Sequence, residues 1–481
     1  MRRKSDRPDK QDANTKSKIS EEKNKEIRRQ EYTRREALAL IAGATVAATG
    51  CRGLEMGPAD TGSGGGSSAG GSTSGMNNIN HVVFMFQENR SFDHYFGKLN
   101  EYRIANGLPG NADCAAPGAS NPTFDFSGNI SSFKLTTQCI ENVSPAWNET
   151  HVQIDTDYQF KPASEVTTSR MNGFVYTGSK YAVDFGFNDT SGARAMGYYD
   201  HTDLPYYYWL ATQFATSDRW FSPVPANSPP NRLFSFAATS AGYVYPPTST
   251  LSQKSIFHLL EAAKITWKIY VTEMPFTYLS YFQPFADEHK ANVVDATQFA
   301  TDCANGTLPS VAFIEAGYVK TRLDEHPGNN IQVGAAYVAS LVNALMNSPS
   351  WKDSAFFLSY DEGGGLYDHV PPPVAVSPDG IKPIDLAPSD IQGDFNRYGL
   401  RVPAFVVSPY ARPGYVSHTV CDHTAILKFI ETRWGLPNLT ERDKAQPNLM
   451  EFFDFSKAAR LTPPTPPAQP ISGPCYYDRV P

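Results

Sequence analysis

Four short runs, Val82–Phe86, Val311–Glu315, Ala355–Tyr360 and Val402–Val407, are apolar at nearly every position rather than at alternate ones. A strand that is apolar on both faces must be covered on both faces. That is the condition of a parallel sheet sandwiched between helices, not of an open antiparallel one. Between these runs, Ser255–Lys264, Gly334–Met346 and His423–Trp434 carry helical spacing, and the last stops before Gly435 and Pro437. The alternation predicts an α/β chain with a mostly parallel central sheet and helices on both faces.

The chain begins differently. Arg34-Arg35 precedes an apolar run, Ala37–Ala48, that is too short to span a bilayer and about the length of a signal peptide's hydrophobic region. The pair is of the kind used for twin-arginine export. Small residues then lead to Cys51, an expected lipidation site that would anchor the chain without a transmembrane helix. Residues 62–75 are almost all Gly, Ser, Thr and Ala, which predicts a flexible tether within a 51–78 linker segment. The expected location is therefore periplasmic or elsewhere in the cell envelope. A catalytic domain is expected over 79–460, with a Pro-rich tail over 461–481. The first fifty residues hold 13 of the 42 basic and 8 of the 49 acidic side chains, so the rest carries 29 against 41, a net −12. Such a balance argues against nucleic acid as a partner. It does not argue against a phosphate ester, because a bound cation reverses the local field. Cysteine spacing fits no zinc motif. In an oxidising compartment a Cys114–Cys139 bridge is expected, with Cys475 open to a further one and Cys421 free.

Two strand ends carry the chemistry. Val82–Phe86 runs into Glu88-Asn89, and Ala355–Tyr360 runs into Asp361-Glu362 and three glycines, Gly363–Gly365. Ligands of open α/β sheets gather at the carboxyl ends of strands. Adjacent buried acids are costly unless solvated or met by a cation. Together Glu88, Asn89, Asp361 and Glu362 offer four hard oxygen ligands suited to Ca, Mg or Mn. Taken alone, the second pair would equally serve as a helix N-cap or a solvated turn.

Ile79–Gly97, Met196–Pro205, Pro229–Arg232, Asp324–Pro327, Tyr360–Pro373, Ser408–Gly414 and Cys421–Trp434 follow one another in an order that resembles the bacterial and plant phosphoesterase family of non-specific phospholipases C and acid phosphatases. The resemblance implies an alkaline-phosphatase-like α/β/α sandwich and a divalent metal held by Glu88, Asn89, Asp361 and Glu362. It places the nucleophile at Ser228, two residues before the Pro of the Pro-Asn-Arg motif. It implies functional histidines at His151 and His326, and substrate contacts from Asn231, Arg232, His369 and His423. Arg232 could clamp phosphoryl oxygens or pair with a structural carboxylate, and His369 and His423 could instead orient helices. The family usually has His directly after Asp-Glu; here that position is Gly363.

The expected activity is a metal-dependent, phospholipase C-type phosphoesterase working through a phosphoseryl intermediate on a phosphate ester, membrane phospholipid among the candidates. A phosphomonoesterase and a catalytically silent surface-binding relative are the alternatives. Sulfatase chemistry lacks its Cys-x-Pro-x-Arg maturation motif here.

Overall fold

The computed structural model describes residues 75–317, 320–457 and 459–478, all within the compact unit Gly64–Pro481. Arg34-Arg35, Cys51 and the Gly/Ser-rich segment lie outside the described residues.

The core is a mixed sheet of eight strands: β1 (His81–Gln87), β2 (Ala215–Ser217), β3 (Trp267–Val271), β4 (Val293–Asp295), β5 (Val311–Glu315), β6 (Ser354–Tyr360), β7 (Ala404–Val407) and β8 (Tyr415–Ser417). Their order across the sheet is β8-β2-β7-β6-β1-β5-β3-β4. The β6-β1-β5-β3-β4 block is parallel. β7 runs antiparallel to both β6 and β2, while β8 and β2 are parallel. The expected run over 402–407 thus shortens to Ala404–Val407 and reverses direction. Pro403 accounts for the late start, since it has no N–H to give to a ladder.

β1 lies at the centre, buried along all but its first residue. Phe84 stacks on Phe313 at 4.6 Å, and Phe236 meets the same ring edge-on at 5.0 Å. Full burial of rings like these stabilises the fold by about 1.5–3 kcal/mol each. The helices that matter below are α1 (Trp147–Ile154), α2 (Phe174–Phe185), α3 (Ser228–Ala237), α4 (Ile331–Met346) and α5 (Thr424–Trp434).

One expectation is overturned. Cys139 is bonded to Cys475, and Cys114 is free, with its Sγ against Phe96 O at 3.3 Å. The tail brings Cys475 to Cys139 by hydrogen bonding: Gln138 N–H donates to Pro474 O (2.7 Å), and Tyr476 N–H donates to Thr137 Oγ1 (3.0 Å). Cys421 is free and buried, as expected.

Candidate active site

The register of β1 and β6 builds the centre. Gln87 sits opposite Tyr360, so Glu88 and Asp361 leave the sheet side by side. Asp361 N–H donates to Gln87 O (3.0 Å), and Asn89 N–H donates to Asp361 Oδ1 (3.0 Å). Asn89 has φ +59°, a left-handed conformation that Asn tolerates better than most residues. The glycines that follow Glu362 are needed for close approach. Gly364 has φ +67°, and a Cβ there would fall 2.2 Å from Asn89 O.

Ser228 enters from the other side as the first residue of α3. Pro229 and Pro230 occupy the first turn, where a missing N–H costs nothing. The Ser228 hydroxyl lies 2.8 Å from Glu88 Oε2, to which it donates, and 3.1 Å from Asn89 Oδ1. One turn along, Arg232 reaches back. Its Nη2 donates to Glu88 Oε1 (2.7 Å) and its Nε to Asp361 Oδ2 (3.3 Å). Burial opposes its charge, but these two carboxylates outweigh burial and hold the guanidinium charged.

Sequence reasoning did not assign a role to Asp324, which lies beside the same acids. Its backbone oxygen accepts from Glu88 N–H at 2.7 Å. Burial, then the charge of Glu88, pushes its carboxyl well above the usual range. Asp361 is pushed up to about 7 by burial and by Glu88, and Glu362 is pushed well above the usual carboxylate range by burial and by Asp361. Four carboxyls therefore crowd one guanidinium. Glu362 Oε1 and Asp324 Oδ2 are buried with no hydrogen-bond partner. Orphaned carboxyl oxygens among hard donors are what a divalent cation would satisfy, and its charge would favour their ionised forms, so the residues fit the expected metal.

The remaining expected residues divide. Asn231 is spent on the turn before α3, holding Val224 N–H (3.0 Å) and Ala226 O (2.7 Å). His423 accepts from the Trp220 indole at Nδ1 (3.1 Å) and donates from Nε2 to Asp361 O (2.9 Å). Both ring nitrogens are engaged, and burial lowers its pKa to about 3, so it props the Asp361 backbone as a neutral ring. His326 donates from Nδ1 to Pro327 O (2.7 Å). Burial lowers its pKa to about 4, against the opposing pull of the Pro327 hydrogen bond and the charge of Asp361. His151 donates from Nδ1 to Trp147 O (2.7 Å) and lines a cleft of about 720 Å³ with Tyr158, Gly393 and Arg397. Among the described residues it makes no hydrogen bond to Ser228 or the four acids.

His369 lies in a separate cluster. Its Nδ1 meets Asp93 Oδ2 (2.6 Å) and its Nε2 meets Asp113 Oδ1 (3.0 Å), and although burial opposes it, Asp93 and Asp368 raise its pKa to about 9. Asp93, Asp368 and His369 offer ligand atoms within 4.8 Å of one another and could hold a metal ion. Arg401 already pairs with Asp368 (3.1 Å) and Asp93 (3.2 Å), so an ion there would compete with a guanidinium and with the His369 proton.

Gly363 has a structural counterpart. A Cβ at that position would meet Leu400 Cβ at 2.9 Å and Cδ1 at 2.9 Å. Leu400 packs with Ile154, Met171, Phe174 and Ala195, occupying the space toward which a side chain at 363 would point.

The family model described as "Phosphoesterase family" matches residues 79–437. "Non-specific phospholipase C3" of Arabidopsis thaliana is 31% identical over 414 residues, covering 80% of this chain and 74% of that one. "Phospholipase C B" of Mycobacterium tuberculosis is 30% identical over 444 residues, covering 81% and 80%. A solved structure of a protein in the alkaline phosphatase superfamily from Vibrio parahaemolyticus aligns over 73% of this chain and 78% of that one, at 9% identity and a TM-score of 0.32.

Proposed function

The chain belongs to the phosphoesterase family, and from that premise we propose that it is a phospholipase C-type hydrolase of phosphoric esters with Ser228 as its nucleophile. One observation carries the reading: the Ser228 hydroxyl, at the positive end of α3, donates to Glu88 within a cluster of four buried acids that the Arg232 guanidinium only partly offsets. The relatives named as phospholipases C supply the substrate class.

Ser228 Oγ bonds to phosphorus as the bond from phosphorus to the glycerol oxygen breaks. The hydroxyl proton passes to Glu88 Oε2, the oxygen to which it already donates. The departing alkoxide takes a proton from His326, whose imidazolium form is favoured once an anionic phosphoryl group sits beside it. Diacylglycerol leaves. Water then attacks phosphorus, giving its proton to His326, and Ser228 recovers its own from Glu88 as the phosphorylated head group departs. A divalent cation held by Glu88, Asn89, Asp361 and Glu362 would supply charge neutralisation to the acids and acidify the serine hydroxyl. Arg232 keeps Glu88 and Asp361 apart and aimed, and it would touch substrate only by releasing one of them.

Location in an oxidising envelope compartment is part of the same proposal. It is supported by the Cys139–Cys475 bond and by the twin-arginine pair with Cys51. The test is turnover of phosphatidylcholine and of p-nitrophenyl phosphate, with and without chelator, by the parent chain and Ser228→Ala. Chelator-sensitive release of diacylglycerol that Ser228→Ala abolishes supports the reading. Activity on the monoester alone would replace it with a phosphatase.

A further inference from the structure

An aromatic cluster stands on the surface beside the cleft. The hairpin of Ser120–Pro122 and Asn129–Ser131 carries Phe124 and Phe126 at its tip. Phe160 comes from the loop that follows α1, and Tyr176 from the first turn of α2. The four rings touch: Phe124 stacks on Tyr176 at 4.8 Å, Phe126 lies 6.0 Å from Phe160, and Phe160 lies 6.1 Å from Tyr176. Yet Phe124 is 45% exposed, Phe126 48% and Phe160 61%. Val183, seven residues after Tyr176 and so on the same face of α2, is exposed as well. A contiguous exposed apolar patch is what a protein or membrane interaction site looks like, whereas a lone exposed Phe would mean nothing.

Stability alone would not choose these residues. Phe126 has φ +58°, a left-handed conformation in which Gly or Asn would be cheaper. The tip is nonetheless preformed, because Asp125 Oδ1 accepts from Thr123 Oγ1 (2.8 Å), Ser127 Oγ (2.8 Å) and Ser127 N–H (3.1 Å).

Charge and position narrow the partner. Around the rings, Lys161 pairs with Asp157 (2.9 Å), and Arg170 pairs with Asp157 (2.6 Å) and with Asp155. These pairs cancel, and the ionised Asp125 at the hairpin tip adds a negative charge, so the patch offers no net positive charge to an anionic surface and fits one of zwitterionic head groups. The loop that bears Phe160 also supplies Tyr158, Lys161 and Pro162 to the wall of the cleft holding His151. The patch and the cleft mouth are thus continuous.

We propose that Phe124, Phe126, Phe160 and Tyr176 form an interfacial docking patch for a zwitterionic phospholipid surface, seating the mouth of the cleft on the bilayer. The aromatic faces sink to head-group level while Lys161 and Arg170 keep their charged ends in water. The choice of a lipid partner rests on the phospholipase C reading above.

The test is co-sedimentation of the full chain with phosphatidylcholine vesicles, using Cys51→Ser throughout so that no acyl anchor contributes. The Phe124→Ser/Phe126→Ser variant is expected to bind at least about ten-fold more weakly. Phe160→Asp, from a different segment, should show the same loss. High salt should change affinity less than about two-fold, and turnover of soluble p-nitrophenyl phosphorylcholine should persist in the hairpin variant. Unchanged binding in both variants would overturn the proposal. So would binding that needs phosphatidylserine and vanishes in salt, or a vesicle-free dimer that the same substitutions dissolve. Patch-dependent binding by a protein that hydrolyses neither ester would sink the phospholipase reading while leaving the docking patch in place.

Discussion

Gly363→His would restore the residue that the phosphoesterase family usually places after Asp-Glu, and its cost can be worked out from Leu400. A Cβ at 363 meets both Leu400 Cβ and Leu400 Cδ1 at 2.9 Å, closer than side chains approach in folded proteins. Leu400 is only 2% exposed and has packed neighbours on its other side, so it cannot swing into open space. Overpacking of this kind costs about 1–3 kcal/mol. Leu400→Ala alone leaves a cavity and costs about 2–5 kcal/mol. If the two side chains compete for one space, each substitution relieves the other. The double variant should then be more stable than the sum of the singles requires, by about 1–2 kcal/mol. Urea unfolding of the four proteins, with m-values checked for constancy, measures that coupling. Additivity within about 0.5 kcal/mol would show that Leu400 does not fill the place of the absent His, and the reasoning would fail.

Two further outcomes follow from buried charge. Glu431, on α5, is buried against Asp443, and burial together with that neighbouring acid raises its pKa to about 10. The folded state therefore binds a proton that the unfolded chain releases near 4.5, so stability should fall as pH rises between about 4.5 and 10. Glu431→Gln should remove that slope, gaining about 1–3 kcal/mol at pH 8 relative to pH 5 in thermal unfolding; an unaltered slope would show that no proton is held there. Arg232→Met removes the guanidinium that pairs with Glu88 and Asp361, leaving buried acids uncompensated at a cost of about 3–5 kcal/mol in chelator. A divalent cation should restore part of that loss, read as a metal-dependent rise in Tm larger than in the parent chain, and an equal or smaller rise would contradict the account.

Much of this architecture is legible in the sequence because continuous apolar runs have only one economical home. β1, β5 and β6 sit where their runs predict, and Glu88-Asn89 meets Asp361-Glu362 because both pairs follow central parallel strands in register. The reversal of β7 was not legible, since an apolar run carries no direction. The Asp324–Pro327 motif was visible, yet nothing in it says which side chain turns toward Glu88; the backbone bond from Glu88 N–H to Asp324 O decides that. Glu325 was missed for the same reason. It is buried beneath the site, where it accepts from Tyr95 (2.7 Å) and Tyr360 (2.8 Å). The Cys139–Cys475 bond escaped because sequence proximity favoured Cys114, whereas the tail's hydrogen bonds to residues 137–138 outweigh the length of the intervening loop.

The central claim is covalent chemistry at Ser228. Rapid acid quench during phosphatidylcholine turnover, followed by mass spectrometry of the peptide that contains Ser228, tests it most directly. A phosphorylcholine group on Ser228 that appears within one turnover and decays as phosphorylcholine is released is the predicted result. Turnover at full rate with Ser228 never modified, or retained by Ser228→Ala, would contradict the account.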